Sequence, residues 1–180
     1  RRLSPVAWLQ VSRGIMVADG DDLLVADGAV LLVLDQATGE ERGRRQLEAE
    51  EIKWIAVADG RIILLGGPNH PDHERRSAGR VIPYRSDGRH LIALDRESLA
   101  LLWRVDREGE DAWDPRSPAV ADGRLFICSQ RDTNPEAFAI DIESGEAIWK
   151  TPLEFERRPF GYEWDRSSRR QVCAYAFQGV

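Results

Sequence analysis

Short apolar runs separated by turn residues recur along the chain. The runs are three to six residues long, as at 29–34 (AVLLVL), which suits a buried strand and is too short for a helix. Ala-Asp-Gly follows such runs at 18–20, 58–60 and 121–123, and occurs again at 26–28. Asp-Gly between apolar runs predicts a β-hairpin, because the turn needs the positive φ that glycine adopts freely. The predicted hairpin-turn residues are Asp19, Gly20, Asp59, Gly60, Asp122 and Gly123.

Each hairpin is followed by a third apolar run that closes in aspartate, at Asp35, Asp95 and Asp141. Four residues later the first and third copies have a glycine, at Gly39 and Gly145, where a tight turn is predicted. Eight residues after the aspartate the second and third copies have a tryptophan. Two positions depart from this pattern, namely Leu99 in the second copy and Gly43 in the first. The ordered matches indicate an internal repeat.

One copy of the repeat is predicted to form a four-stranded antiparallel meander. The Ala-Asp-Gly tripeptides that begin the copies are 40 and 63 residues apart, and the shorter spacing suits the period of a propeller blade, about 40–50 residues. The longer spacing is explained by an insertion at 66–89, and a smaller insertion at 129–136 has the same place in the third copy. Insertions at one position of successive repeats lie on one face, so we expect that face to be the binding face.

The fold class expected is all-β, a partial β-propeller of about three four-stranded antiparallel blades plus end strands. The copies span about 14–47, 54–106 and 117–153. We assign 1–180 to a single domain, with one further strand at each end, at 6–11 and 171–177. Natural propellers have about four to eight blades, so further blades in the same chain or an oligomer are expected. The chain begins with Arg1 rather than Met, so either its start was removed or it is an excerpt from a longer chain. Because three blades do not close a ring, the preferred interpretation is a segment of a larger propeller.

The three copies carry a family resemblance. VADGRLFICSQ…EAFAIDIESGEAIWK, at 120–150, resembles the repeat of pyrroloquinoline-quinone-like (quinoprotein alcohol dehydrogenase-like) β-propellers. The segment at 54–105 is a second match with Ser-Leu in place of the usual Thr-Gly, and 21–40 is a third without the closing tryptophan. The resemblance implies that Trp103 and Trp149 pack between neighbouring blades.

The resemblance also implies a function. Repeat proteins of this kind are frequent among bacterial extracytoplasmic proteins, including a lipoprotein that assists outer-membrane protein assembly. We therefore expect a non-catalytic scaffold or binding module of a periplasmic or extracellular protein, which contacts a protein partner through its rim insertions. The alternatives are a fragment of a quinone-dependent dehydrogenase and a polysaccharide- or polymer-binding propeller.

No cofactor is predicted, and pyrroloquinoline quinone with calcium is the alternative that the resemblance implies. In the alcohol dehydrogenases of the family, adjacent cysteines form a disulfide ring over the quinone. Cys128 and Cys173 are 45 residues apart, so they do not match that feature, and no catalytic or cofactor-binding residue is assigned. Whether these two cysteines form a disulfide or are free thiols is left open.

Charge and composition exclude some classes of function. The chain has 25 basic and 31 acidic side chains, a net charge of −6, whereas a nucleic-acid or anionic-membrane binder needs a basic face. No apolar run approaches the roughly 18 residues of a membrane-spanning helix. Nucleic acid and a membrane-spanning segment are therefore not predicted.

The long insertion contains a weak candidate metal site. His70, Asp72 and His73 supply two imidazoles and a carboxylate, which are ligand types that metals accept. The two histidines lie in a loop interrupted by proline, where no helix holds their geometry. The favoured interpretation is a solvated loop. No serine stands in a nucleophile-elbow context, so no catalytic residue is predicted.

Overall fold

The chain folds into three four-stranded antiparallel sheets that follow one another in sequence. The computed structural model describes residues 15–49, 51–68, 76–77, 80–81, 88–107, 112–129 and 135–153. These residues include no helix, and the all-β, partial-propeller prediction is confirmed. The end strands predicted at 6–11 and 171–177 lie outside the described residues.

Each sheet contains one copy of the repeat. In the second sheet, the long insertion separates the second strand from the third and contains a separate two-stranded ribbon. The first sheet consists of β1 (Met16–Asp19), β2 (Asp22–Asp27), β3 (Val30–Asp35) and β4 (Glu41–Gln46). The second consists of β5 (Glu51–Ala58), β6 (Arg61–Gly67), β9 (His90–Asp95) and β10 (Leu101–Asp106), in the spatial order β10-β9-β6-β5. The separate ribbon consists of β7 (Arg76–Ser77) and β8 (Arg80–Val81). The third consists of β11 (Ala119–Ala121), β12 (Arg124–Cys128), β13 (Glu136–Asp141) and β14 (Ala147–Pro152).

The Asp-Gly pairs form tight hairpin turns in the second and third sheets. Asp59 and Gly60 have φ of 50° and 70°, and Asp122 and Gly123 have 50° and 69°, as a type I′ turn requires. The first copy corrects the prediction for Asp19, which ends β1 and pairs with Asp22. The extra acidic residue after Gly20 moves that turn by one position. Asp19 therefore becomes free to bind Arg96 of the second sheet through its carboxylate, at 2.7 Å.

A second turn follows the third strand of every sheet and is held by the repeat aspartate. The Asp35 carboxylate accepts hydrogen bonds from the backbone NH groups of Ala37 and Thr38, both at 2.8 Å. The Asp141 carboxylate accepts from the Ser144 NH at 2.8 Å and from its hydroxyl at 3.0 Å. These bonds satisfy amide groups that the tight turn leaves without a strand partner.

Two apolar layers hold the three sheets together. The layer between the first and second sheets contains residues such as Leu24, Leu31 and Ile62, all fully buried. The layer between the second and third sheets contains Leu65 and Leu125, also fully buried. Each fully buried aliphatic side chain contributes roughly 1.5–3 kcal/mol, so the face-to-face packing of the sheets dominates the stability.

Trp103 packs on the turn of the third sheet. Its indole Nε1–H donates to the Ile142 carbonyl at 2.9 Å. A Cβ placed on Gly145 would lie 2.7 Å from the Trp103 ring, so no other residue fits at this position without movement. A large side chain of one sheet thus occupies the space above a glycine of the next.

The two residues that depart from the repeat contact each other, with the large residue in the glycine position and the glycine in the tryptophan position. Gly43, in the tryptophan position of the first sheet, faces Leu99, in the glycine position of the second. The Leu99 Cδ1 lies 3.4 Å from the point where a Cβ on Gly43 would stand. Leu99 has φ of 56°, a left-handed conformation that is unfavourable for leucine, and its side chain packs on the first apolar layer. The large and small residues have exchanged places at this junction.

The repeat aspartates predict sensitivity to acid. Hydrogen bonds lower the pKa of each carboxyl, chiefly from the Thr38 NH to Asp35, the Ser98 hydroxyl to Asp95 and the Ser144 NH to Asp141. A carboxyl with a lowered folded pKa stabilises the fold above its unfolded pKa, near 3.8, and this contribution is lost as the pH falls through the lower folded value. We expect the free energy of urea unfolding to be nearly constant from about pH 7 to 5 and to fall below about pH 4.

The control for the acid prediction replaces all three aspartates with asparagine. This variant is neutral at these positions in both states, so its unfolding free energy should fall less steeply below about pH 4. Equal acid slopes for the two proteins would contradict a role for these carboxylates.

The exchanged pair predicts strong coupling between residues 43 and 99. Gly43→Trp alone should destabilise the fold by about 1–3 kcal/mol, because the ring would overlap Leu99. Adding Leu99→Gly should recover most of that loss, since the double variant recreates the contact of Trp103 with Gly145. The check is a double-mutant cycle of unfolding free energies. A coupling energy below about 0.5 kcal/mol would mean that the two residues act independently.

Candidate binding rim

The two insertions leave the second and third sheets at the same end of their strands. We call this end, formed by the described residues around Gly88–His90, Asp106, 112–117 and Ser129, the insertion rim. In the first sheet the same connection is the short turn after Asp27. The insertions therefore enlarge one edge of two neighbouring sheets.

The structure corrects the boundaries of the longer insertion. The repeat spacing predicts it at 66–89, but β6 continues through Gly67, and Gly66 pairs with His90. Gly66 also lies close to the segment that leaves the first sheet, since a Cβ on Gly66 would lie 2.9 Å from that of Ala49. In the shorter insertion, Ser129 likewise forms a β-bridge. The connecting segments begin beyond these residues.

Trp113 joins the bases of both insertions. It lies in the segment between the second and third sheets and forms antiparallel bridges with both Gly88 and Ser129. Its NH donates to the Gly88 carbonyl at 2.6 Å, and the Gly88 NH donates back at 3.0 Å. The ring is 1 % exposed and packs edge-on against Phe138, with the centroids 5.0 Å apart. Trp113 thereby ties both loops to the apolar core.

The Arg107 guanidinium packs on the rings of Trp113 and Phe138. Its guanidinium carbon lies 3.9 Å from the centroid of the Trp113 ring and 4.2 Å from that of Phe138. Cation–π contacts of this kind contribute about 0.5–2 kcal/mol each. Sequence reasoning missed Trp113 and Arg107, because both stand between two copies of the repeat. The available clue was a tryptophan that lies outside the repeat pattern.

A second polar cluster lies beside the exit of the long insertion. His90 Nδ1 is 2.8 Å from the Asp106 carboxylate, and Arg104 donates to the same oxygen at 2.6 Å. Burial raises the pKa of Asp106, but hydrogen bonds from Arg104 and His90 outweigh it and leave the pKa lowered. Arg104 also donates to the Glu48 carbonyl at 3.2 Å, linking the rim to the chain that leaves the first sheet. The cluster is an ion-pair network held at the surface.

The hydroxyl and thiol groups of the rim are engaged in structural hydrogen bonds. Ser117 donates its hydroxyl to the Asp114 carbonyl at 2.8 Å and accepts from the Cys128 NH at 2.9 Å. The Ser129 hydroxyl accepts from the Glu136 NH at 2.9 Å. Burial raises the pKa of the Cys128 thiol, which therefore stays protonated at neutral pH. None of these three groups is arranged as an activated nucleophile.

Arg116 and Asp114 present the most exposed charged pair of the rim. The guanidinium donates to both carboxylate oxygens, at 2.9 Å each, while the Arg116 side chain is 76 % exposed. Burial raises the pKa of Asp114, and the hydrogen bonds from Arg116 more than offset this and lower it. The pair gives the rim a fixed ionic contact that reaches into solvent.

The predicted site residues divide between the two ends of the sheets. The glycines and aspartates of the repeat lie in turns at the end opposite the insertion rim. Trp103 contacts the next sheet, as described above. Trp149 lies 6.0 Å from Phe126 of its own sheet, centroid to centroid, and is 40 % exposed, so its docking role stays a prediction. His70, Asp72 and His73 lie outside the described residues.

The alternative of a quinone with a metal ion can be tested against the metal-ligating side chains of the described residues. Across the described ranges, no three His, Cys, Asp or Glu side chains are grouped to hold a metal ion. The described residues therefore supply no cluster of these side chains for the calcium that would accompany the quinone. In the same part of the chain, no helix is long and apolar enough to cross a bilayer.

Comparison with protein families identifies the relationship. A family model described as "Outer membrane protein assembly factor BamB" matches residues 1–180. The chain belongs to this family. This agrees with the pyrroloquinoline-quinone-like repeat predicted from the sequence. No curated protein matches the chain.

Solved structures share the fold at low sequence identity. BamB from Moraxella catarrhalis is 16 % identical with a TM-score of 0.51, over 77 % of this chain and 35 % of that one. The quinohemoprotein alcohol dehydrogenase ADHIIG from Pseudomonas putida HK5 is 14 % identical with a TM-score of 0.56, over 79 % and 21 %. The Neurospora crassa Pan2 WD40 domain is 10 % identical with a TM-score of 0.55, over 84 % and 42 %. The chain thus spans less than half the length of each of these structures.

The state of Cys128 leads to a prediction on thiol reactivity. With Cys173→Ser, the remaining thiol should react with an aromatic disulfide reagent at least about tenfold more slowly in the folded chain than in urea, because it is half-buried and protonated. Absorbance of the released thiolate measures the rate. Equal rates in the two states would mean that Cys128 is accessible. The same titration of the unreduced, unsubstituted chain counts its thiols and decides between free cysteines and a disulfide.

Proposed function

We propose that the chain is a non-catalytic β-propeller module that binds a protein partner at its insertion rim. The observation that carries the proposal is the anchoring of both insertions by Trp113, through Gly88 and Ser129. A buried tryptophan at the shared base brings two loops of neighbouring sheets to one place. Two adjacent loops on a rigid scaffold form the arrangement in which many proteins place their binding residues.

The chemistry of the rim favours binding over catalysis. The hydroxyls of Ser117 and Ser129 and the thiol of Cys128 serve backbone hydrogen bonds or are held protonated. The exposed pair of Arg116 and Asp114 and the network around Arg104 offer charged and hydrogen-bonding groups instead. Such a polar rim around anchored loops suits a protein surface.

Family membership supports the same proposal for the whole protein. The matching family is named for an outer membrane protein assembly factor, which suggests a periplasmic location and a role in assembling other proteins. The quinone-dependent alternative draws support from the fold that the chain shares with a quinohemoprotein alcohol dehydrogenase. It receives none from the donor groups of the described residues.

The test removes the long insertion and leaves its anchor. Residues 69–86 are replaced by Asn-Gly, which keeps Gly88 in its bridge to Trp113. Since Gly66 and His90 already pair, the shortened connection should leave the unfolding free energy within about 1 kcal/mol of the original. We expect this variant to lose the partner that the original chain captures in its host.

A photo-crosslinking residue locates the contact and supplies the matched control. It is placed at Arg116 in the rim or at Glu143 at the opposite end, and both side chains are highly exposed, at 76 % and 84 %. We expect the same crosslinked protein from position 116 in repeated captures, and none from 143. Capture that survives the loop replacement, or that occurs equally from both positions, would overturn the proposal. Quinone absorbance that co-elutes with the chain in the presence of calcium would favour the dehydrogenase instead.

A further inference from the structure

A cavity of about 340 Å³ lies between the second and third sheets, at the end opposite the insertion rim. The hairpin turns at Asp59 and Asp122 form its polar wall, and Ile142 and Ile148 of the third sheet form its apolar wall. The volume is near the lower bound of small-molecule sites, about 300–1,000 Å³. A small molecule therefore fits here, whereas a folded protein does not.

The junction between the first and second sheets shows which group fills the equivalent space. Arg96 follows the repeat aspartate of the second sheet, and its guanidinium donates to the carboxylates of Asp19 and Asp22, both at 2.7 Å. Ile142 follows the repeat aspartate of the third sheet, and its NH bonds to the same turn position of its own sheet. The shorter, apolar side chain of Ile142 leaves open at the second junction the space that a guanidinium fills at the first.

The charged groups of the second junction are also arranged differently. Asp59 is equivalent to Asp19, but Arg61 stands in the position of Asp22 at the start of the second strand. Arg61 donates to the Asp59 carbonyl at 2.9 Å and lies 3.8 Å from the Glu143 carboxylate, beyond hydrogen-bond distance. Its buried Nε–H has no acceptor. The guanidinium therefore has a donor left for an acceptor in the cavity.

Charges of both signs are left unpaired around the cavity. Among the described residues, the carboxylates of Asp59 and Asp122 have no hydrogen bond or ion pair, and neither has the Arg124 guanidinium, which also lines the cavity. The Asp59 carboxylate lies 3.8 Å from the point where a Cβ on Gly123 would stand, so it faces the turn that contains Asp122. At the first junction the corresponding carboxylates are neutralised by Arg96.

We propose that this cavity binds a small zwitterion of the class of free aliphatic α-amino acids. The ammonium group binds the carboxylates of Asp59 and Asp122 through charge-assisted hydrogen bonds. The carboxylate binds the guanidinium groups of Arg61 and Arg124, and the aliphatic side chain packs on the two isoleucines. Both charges are required, because the arginines repel a lone cation and the carboxylates repel a lone anion. This inference does not depend on what the insertion rim binds.

The first test is a titration of the full chain with leucine, followed by NMR. We expect the amide resonances of Gly123 and Ile142 to shift and those of Gly88 and Trp113, at the insertion rim, to stay in place. N-acetylleucine lacks the ammonium charge and leucinamide lacks the carboxylate, so each should bind at least about tenfold more weakly than leucine. No shift with leucine, or equal affinity for leucine and either analogue, would overturn the proposal.

Single substitutions remove one charge at a time and keep the fold. Asp59→Asn preserves the hairpin, because asparagine tolerates the left-handed φ of 50° at this position. Asp59→Asn and Arg124→Gln should each weaken leucine binding by at least about tenfold. Asp27→Asn is the matched control, since it removes one carboxylate at the other end of the strands and should leave the affinity unchanged. Loss of binding in this control as well, or full affinity in both cavity variants, would overturn the assignment.

A double variant recreates the first junction at the second and closes the cavity. Arg61→Asp combined with Ile142→Arg supplies there the side chains that Asp22 and Arg96 have at the first junction. Circular dichroism should show that the strands are retained, and leucine binding should be lost because a guanidinium of the chain fills the space. A folded double variant that binds leucine like the original chain would show the proposal to be wrong. If the double variant does not fold, the single substitutions decide the question.

Discussion

The architecture depends on the way a large side chain of one sheet fills the space above a residue of the next. Face-to-face packing of sheets supplies most of the stabilising free energy, but apolar faces alone leave the sliding and rotation of the sheets poorly determined. The contact of Trp103 with Gly145 removes that freedom, because the ring fits only where the neighbouring residue has no side chain. Leu99 against Gly43 does the same with the volumes reversed. Each junction between two sheets is therefore fixed by its own contact of a large side chain with a glycine.

Local patterns made the sheets predictable from the sequence. The hairpin at Asp59–Gly60 and the turn after Asp141 each depend on residues within a few positions, so their geometry follows from the chemistry of one short segment. The first hairpin deviated because a single extra acidic residue moved the register. The pairing of Leu99 with Gly43 could not be foreseen, since 56 positions separate them and their contact exists only once two sheets pack.

The insertion rim was predictable in position but not in composition. Counting residues between repeats located the insertions, because extra length must leave the sheet where two strands are connected. Trp113 and Arg107 belong to no copy of the repeat, so no internal comparison assigned them a place. Their role arises from tertiary packing, in which one aromatic ring reaches the edges of two sheets and an arginine covers it.

The two ends of the sheets carry different constraints. The end opposite the insertion rim contains the contacts of large side chains with glycines and the turns held by the repeat aspartates. A side chain added there would affect the packing of one sheet on the next. The insertion end tolerates long connections, because the strands are already paired at Gly66 and His90. The loops at the insertion end can therefore differ in length and sequence without altering the contacts that fix one sheet on the next.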